Sequence, residues 1–190
     1  MPELNYWHMK WDLHQDICPC DVHFNDWLEA NRMARRTIYH FGTGTHHVVG
    51  ARQAENGSGN KVFAITASRG EYDAYIALVT ANAAVARSYI CYFGDIYLSA
   101  AELLPSFDVV SLFHLCEFFS PDTTSPEYGG VDDRGLLDIL TVKTKPGGHV
   151  LFYKGSLGFD RAKPIIADWV RSGVVDAIGE YKTLDIYRKR

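Results

Sequence analysis

Histidine, cysteine and acidic side chains cluster at three places in this sequence, and each cluster has a chemistry that its spacing favours or denies. His40, His46 and His47 flank the turn Gly42-Thr43-Gly44-Thr45, while His114 stands with Cys116 and Glu117. Imidazole titrates near neutrality, so these side chains suit proton transfer to or from a reacting group. Imidazole and carboxylate are also ordinary metal ligands, which makes His46, His47, His114 and Glu117 a conceivable set. Adjacent histidines seldom face one point, however, and no strong ligand spacing is present. Satisfied or solvent-facing histidines are the simpler reading, and no metal is expected. Cys18-Pro19-Cys20 likewise lacks the second half of a zinc motif. Gly42 and Gly44 have a different use: lacking Cβ atoms, they let the backbone approach a ligand closely, and a helix beginning near Thr45 would offer unpaired N–H groups.

The elements that must position these groups can be read from pattern. A chain of 190 residues, 47% hydrophobic and 22% charged, fits one domain with a sizeable core, residues 1–190. A formal net charge of -4 gives no sign of a nucleic-acid-binding surface. Of the four cysteines, Cys91 and Cys116 fall in apolar segments where a thiol packs as a small hydrophobe, so no disulfide framework is expected. Neither a signal-peptide pattern nor an apolar run of roughly 20 residues occurs, and the expected place is the cytoplasm, away from membranes.

Residues 4–20 carry Tyr6, Trp7, Trp11 and His14 without a clean period and are read as an aromatic N-terminal cap. A helix is predicted over 21–36, with Asp21 as its N-cap. Strands follow at 37–41, 61–66, 89–93, 107–115 and 149–153, separated by a short helix after Thr45, an alanine-rich helix over 69–86 and a helix over 131–145. The near-continuous apolar run of the second strand is that of a parallel strand covered on both faces. A last helix over 160–172 precedes two closing strands at 174–178 and 183–187.

Such alternation demands an α/β fold, a doubly wound and mostly parallel sheet with helices on both faces. Ligands of such sheets lie beyond the carboxyl ends of the strands. The segments to watch are therefore 42–47, 66–68, 94–96 and 114–117.

Four of these pieces, taken in order, resemble the class I S-adenosylmethionine-dependent methyltransferases. Thr37 to Gly50 is similar to the family's first cofactor motif, a strand entering a glycine turn and then a helix. Phe93-Gly94-Asp95-Ile96 resembles its turn after strand three, Ser106 to His114 its strand-four motif, and Lys145 to Phe152 its strand-five motif with a Pro-Gly-Gly entry. The resemblance covers about Asp21 to the C-terminus. It implies a Rossmann-like seven-stranded sheet with an antiparallel C-terminal strand, and S-adenosylmethionine as cofactor. It further implies His40, Gly42, Gly44, Thr66, Asp95, Ile96 and Phe113 as cofactor-binding positions, with Asp95 bonding the adenine amino group.

Three positions depart from that pattern. His40 stands where the family commonly has an acid, His46 replaces a third glycine, and Thr66 aligns with the acid that grips the ribose hydroxyls, for which Glu71 is a substitute if the turn is longer. The missing acid and glycine also argue against a dinucleotide site. His114 is the candidate base, or else a histidine packed under the cap; Tyr6, Trp7 and Trp11 are either a lid or simple packing. The expected activity is methyl transfer to a small molecule, with a possible homodimer. The alternative is a methyltransferase-like domain that has lost catalysis and serves as a binding module.

Overall fold

The computed structural model describes residues 2–190. In chain order the elements are α1 (Cys20–Ala30), β1 (Thr37–Phe41), α2 (Val48–Glu55), β2 (Lys61–Thr66), α3 (Arg69–Ala81), α4 (Ala83–Ala86), β3 (Tyr89–Phe93), β4 (Phe107–Leu112), α5 (Asp133–Lys143), β5 (Thr144–Tyr153), α6 (Phe159–Arg171), β6 (Val175–Tyr181) and β7 (Leu184–Lys189). The strands form one seven-stranded sheet in the order β3-β2-β1-β4-β5-β7-β6. Strands β1 to β5 pair in parallel, and β7 runs antiparallel to both β5 and β6.

Both faces of the sheet are covered because its strands alternate two apolar sets. Ile38, Val62, Val109 and Leu151 pack with Phe24, Trp27 and Leu28 of α1 and Val49 of α2. Tyr39, Phe41, Val110 and Leu112 pack on the other face with Leu136, Leu140 and Trp169 from α5 and α6. The winding reverses between β1 and β4, so their carboxyl ends open a crevice at the switch point.

Several boundaries differ from the periodic reading, each for a local reason. α1 ends at Ala30 because Arg32 and Arg35 take left-handed backbone angles, φ 51° and 55°. Asp21 is not its N-cap; that place falls to Pro19, and Asp21 is buried in the first turn. The 69–86 helix is two helices, because Asn82 leaves helical geometry and its side chain accepts a bond from Ala84 N. β4 stops at Leu112, where the chain turns into a loop containing Cys116 at φ 69°. β5 begins at Thr144 and takes in the Pro-Gly-Gly segment, with an irregular register opposite Phe107 and Val109.

At the amino ends of the strands, Asp108 ties β1, β4 and β5 together. Its Oδ2 accepts from Thr37 N, Thr37 Oγ1 and Lys145 Nζ, each at 2.8 Å, and Arg36 lies 3.5 Å from Oδ1. Burial alone would raise the carboxyl pKa, but Lys145 and the Thr37 donors outweigh it and hold it at about 2. A carboxylate depressed below its unfolded value of about 3.9 contributes stability above that pH, lost as pH falls through the folded value. Asp108→Asn should therefore cost about 1.5–3 kcal/mol near neutrality. Thermal melts between pH 2 and 7 should show the variant's deficit shrinking towards the acid end; a deficit independent of pH would contradict the assignment.

Candidate functional site

A cavity of about 330 Å³ lies at the carboxyl end of the sheet, within the range used for small ligands. Its walls come from the turn after β1, the end of β2, the loops after β3, β4 and β5, the first turn of α1 and the N-terminal segment. A second cavity of about 320 Å³ sits at the opposite end of the strands, beside Thr37, Lys61 and Ser88.

The turn after β1 is built around two glycines at positive φ, Gly42 at 94° and Gly44 at 55°. A Cβ on Gly42 would fall 2.5 Å from His114 Cδ2, so the glycine is what lets the loop after β4 press against this turn. That loop is pinned from below. Buried Asp133 accepts from Cys116 N at 2.9 Å and from Tyr97 Oη at 2.7 Å, and Arg161 donates to the Cys116 carbonyl. His114 is thereby fixed at the cavity wall, with Glu117 Oε2 3.1 Å from its Nδ1.

The first acid of the site is Glu71, in the first turn of α3. It is buried, and its Oε2 accepts from Thr66 Oγ1 at 2.6 Å and Thr43 Oγ1 at 3.1 Å. Burial raises its pKa, and the two hydroxyl donors oppose that shift. Both bonds fall on Oε2, and Glu71 lines the cavity, so Oε1 is the acceptor left for a ligand. The end of β2 therefore does carry a carboxylate, delivered five residues late and anchored through the threonine that stands in the expected place.

The second acid is Asp21. From α1 it reaches the cavity wall beside the first turn, its Oδ1 3.6 Å from His40 Nε2. His40 itself is buried behind the wall, its Nδ1 hydrogen-bonded to Ser111 Oγ at 2.8 Å, across a register in which the two residues are direct neighbours. Ser111 Oγ also lies 3.4 Å from the Tyr39 carbonyl, to which it can donate.

His46 Nδ1 also lies 3.8 Å from Asp21 Oδ2, but the same nitrogen accepts from Val48 N at 3.3 Å. Burial lowers the His46 pKa as well, so the imidazole is neutral and caps the start of α2 rather than pairing with Asp21. It folds over Gly44, where an added Cβ would lie 2.3 Å from its Nε2. His47 is spent on structure. Its Nε2 donates to the Glu71 carbonyl at 2.7 Å, its Nδ1 accepts from Tyr89 Oη at 2.6 Å, and burial drives its pKa down to about 4.

The N-terminal segment crosses the mouth as a roof. Trp7 N bonds the Ala67 carbonyl at 2.8 Å, Ser68 Oγ bonds the Met9 carbonyl at 2.7 Å, and Thr45 N bonds the Trp11 carbonyl at 2.7 Å. Trp7 and Trp11 face the cavity and meet Phe118 edge-on, whereas Tyr6 is half exposed and packs on His8. Asp95 lines the far wall. Its Oδ1 caps the following turn at Tyr97 N, while Oδ2 accepts from Tyr128 Oη at 2.7 Å and Asn5 Nδ2 at 3.4 Å.

Of the positions expected to hold a ligand, the structure brings Gly42, Gly44, Thr66, Asp95, Ile96 and His114 to one cavity. It places His40 and Phe113 behind the wall instead. Phe113 is fully buried against Phe24, because the residue after Leu112 still points into the α1 face of the core. Nor are His46, His47, His114 and Glu117 gathered as ligands. Among the described residues the one such group is Cys18, Cys20 and His114. Burial opposes charge on His114, but Cys18 and Glu117 beside it pull its pKa up to about 10, which favours the protonated ring at neutral pH.

No family model matches the sequence, and no curated protein matches it. Solved structures do. A candidate caffeoyl-CoA O-methyltransferase from Staphylococcus aureus superposes with a TM-score of 0.64 at 11% identity, over 90% of this chain and 82% of that one. A candidate rRNA methylase from Clostridium thermocellum gives 0.57 at 14% identity, over 89% and 96%. Coclaurine N-methyltransferase, bound to N-methylheliamine and S-adenosylhomocysteine, gives 0.51 at 13% identity, over 72% and 37%. The chain thus has the class I methyltransferase fold.

Gly42→Ala tests the close approach of the two loops. Since the new Cβ meets the His114 ring and the backbone is left-handed, we expect a loss of about 1–3 kcal/mol in denaturant unfolding. Wild-type stability in this variant would mean that the loop after β4 is not held against the turn.

Proposed function

We propose that this cleft binds S-adenosylmethionine and that the protein transfers its methyl group to a small molecule. The observation that supports this most is the pair of buried carboxylates, Asp21 and Glu71, which reach the cavity beside the first turn and at the end of β2. In the fold family an acid near the first turn holds the amino-acid end of the cofactor, and one after β2 accepts from the ribose hydroxyls. Neither stands in the aligned position here, and Asp21 and Glu71, reaching the cavity from α1 and α3, support those two roles. Asp95 is the corresponding acceptor for an adenine amino group, its Oδ2 now shared by Tyr128 and Asn5.

The start of α2 separates this reading from a dinucleotide. A pyrophosphate needs open N–H groups at that helix, and His46 occupies the first of them, Val48 N. A sulfonium cofactor carries no phosphate and makes no such demand.

When bound, the cofactor supplies an electrophilic methyl group. The chain's own contribution is positioning: Glu71 and Asp95 fix the two ends of the nucleoside, and Trp7, Trp11 and Phe118 exclude water from the roof. The roofed, mostly apolar cavity favours a small acceptor over a folded nucleic acid. His114, protonated, is placed to donate to an electronegative atom of the acceptor and orient it.

Isothermal titration with S-adenosylmethionine and S-adenosylhomocysteine tests the reading. The wild type should bind in the micromolar range, and Glu71→Gln, Asp21→Asn and Asp95→Ala should each weaken binding by about tenfold or more, from the loss of a charged acceptor. Because the Glu71 pKa is raised, affinity should begin to fall at a higher pH than an ordinary carboxylate would dictate as the solution is acidified, and the Gln variant should lack that step. Absence of heat and of any thermal shift at millimolar ligand would leave a methyltransferase-like binding module as the reading.

A further inference from the structure

We propose that Cys18 Sγ, Cys20 Sγ and His114 Nε2 form a three-ligand site for a soft divalent cation, zinc foremost, whose fourth position opens into the cleft. This site does not require the cofactor reading, but a cation on His114 Nε2 would replace the donor role given above to the protonated ring. The two sulfurs lie 3.5 Å apart, Cys20 Sγ is 4.0 Å from His114 Nε2, and the three ligand atoms all fall within 4.8 Å of one another. Tetrahedral zinc, with Zn–S near 2.3 Å and Zn–N near 2.0–2.1 Å, requires S···S of about 3.8 Å and S···N of about 3.6 Å. The first two separations are within a few tenths of an ångström of that geometry, and the third, between Cys18 Sγ and His114 Nε2, is no more than 4.8 Å.

The surroundings match what a ligated histidine needs. Glu117 Oε2 stands 3.1 Å from His114 Nδ1 but off the N–H direction, so that nitrogen has no well-formed hydrogen bond despite being enclosed. A cation on Nε2 would place the proton on Nδ1, and a small turn of the Glu117 carboxylate would then complete the carboxylate–histidine–metal relay that orients many metal-bound imidazoles. Glu117 is itself held by Ser156 Oγ at 2.5 Å. On the other side, Cys18 N bonds the His14 carbonyl at 2.7 Å, Tyr153 Oη donates to the Ile17 carbonyl, and Pro19 stiffens the link to Cys20 at the start of α1. The bond to Cys18, burial and the adjacent Asp21 carboxylate raise the Cys20 pKa, so metal binding would displace its proton.

Ligand type decides the metal. Two thiolates and an imidazole select zinc over calcium or magnesium, and two negative sulfurs balance a divalent charge. Cys18, Cys20 and His114 all line the cavity, so the fourth ligand is water or an electronegative atom of whatever occupies the cleft. Three protein ligands with an open position are the pattern of zinc sites that do chemistry rather than hold structure.

The test is direct. The full chain, reduced and stripped with a chelator, is titrated with zinc and with cobalt(II), and metal content is measured by elemental analysis. One equivalent per chain, a rise in melting temperature on loading, and sulfur-to-cobalt charge-transfer bands are expected. Cys18→Ser, Cys20→Ser and His114→Ala should each weaken zinc binding at least tenfold and change the cobalt spectrum, and Glu117→Gln should weaken it by about 10–100-fold. Cys91→Ser, at a buried thiol remote from the group, should leave the stoichiometry at one. Circular dichroism checks that every variant is folded. No retained equivalent in the wild type, a cobalt spectrum without thiolate bands, or an equivalent retained unchanged in Cys18→Ser would overturn the proposal.

Discussion

The cleft depends on one buried carboxylate. Glu71 joins four segments at once: its Oε2 holds Thr43 of the first turn and Thr66 at the end of β2, its carbonyl accepts from His47 before α2, and its N–H bonds Ser68 at the start of α3. Removing a charged group from water costs several kcal/mol unless hydrogen bonds replace the lost solvation. Two hydroxyls and the positive end of α3 supply part of that replacement. The remaining oxygen faces the cavity, where a ligand donor would complete it. A fold that buries an acid with one acceptor still free has made ligand binding favourable before any ligand arrives.

From that anchor the other walls follow. Gly42 must be glycine for the His114 loop to approach, and that loop stays put because Asp133 accepts from Cys116 N while Tyr97 shares the same oxygen. The N-terminal segment then seals the mouth by main-chain bonds to both sides of the crevice, at Ala67 and at Thr45. Those bonds make Trp7 and Trp11 part of the wall even though the segment has no helix and only an isolated bridge to Ser68. Opening the roof means breaking a handful of hydrogen bonds, which is the low-stability end of a protein's range of local openings.

The sheet was legible because its information is local. Apolar runs, glycine turns and the alternation of periods marked β1, β2 and β3 at their true ends, and the antiparallel closing strand was implied by the family resemblance. The site was legible only in part. Gly42, Gly44, Asp95 and His114 sit in segments whose position relative to the sheet is fixed by topology. Asp21, by contrast, reads as an ordinary helix cap, and nothing local shows that α1 aims its first turn at the cavity. Ser68 and Glu71 do form the S-x-x-E spacing of a capping box, yet the glutamate turns away from the cap towards Thr66. Cys18-Pro19-Cys20 lacked a partner in sequence because its partner, His114, is 94 residues away.

On the proposed cofactor reading, the altered motif positions and the two helix-borne acids are two sides of one constraint. A ligand senses the position of a charge, not the element that carries it, and α1 and α3 both begin at the carboxyl edge of the sheet. Once an acid from either helix reaches the cavity, the strand-end positions are free to change. His40 can then become a buried link to Ser111, and Thr66 a donor to the incoming carboxylate. Such an exchange preserves the electrostatics of a site while erasing the sequence pattern that would have announced it, which is the form expected where fold is retained and function must be argued from the site itself.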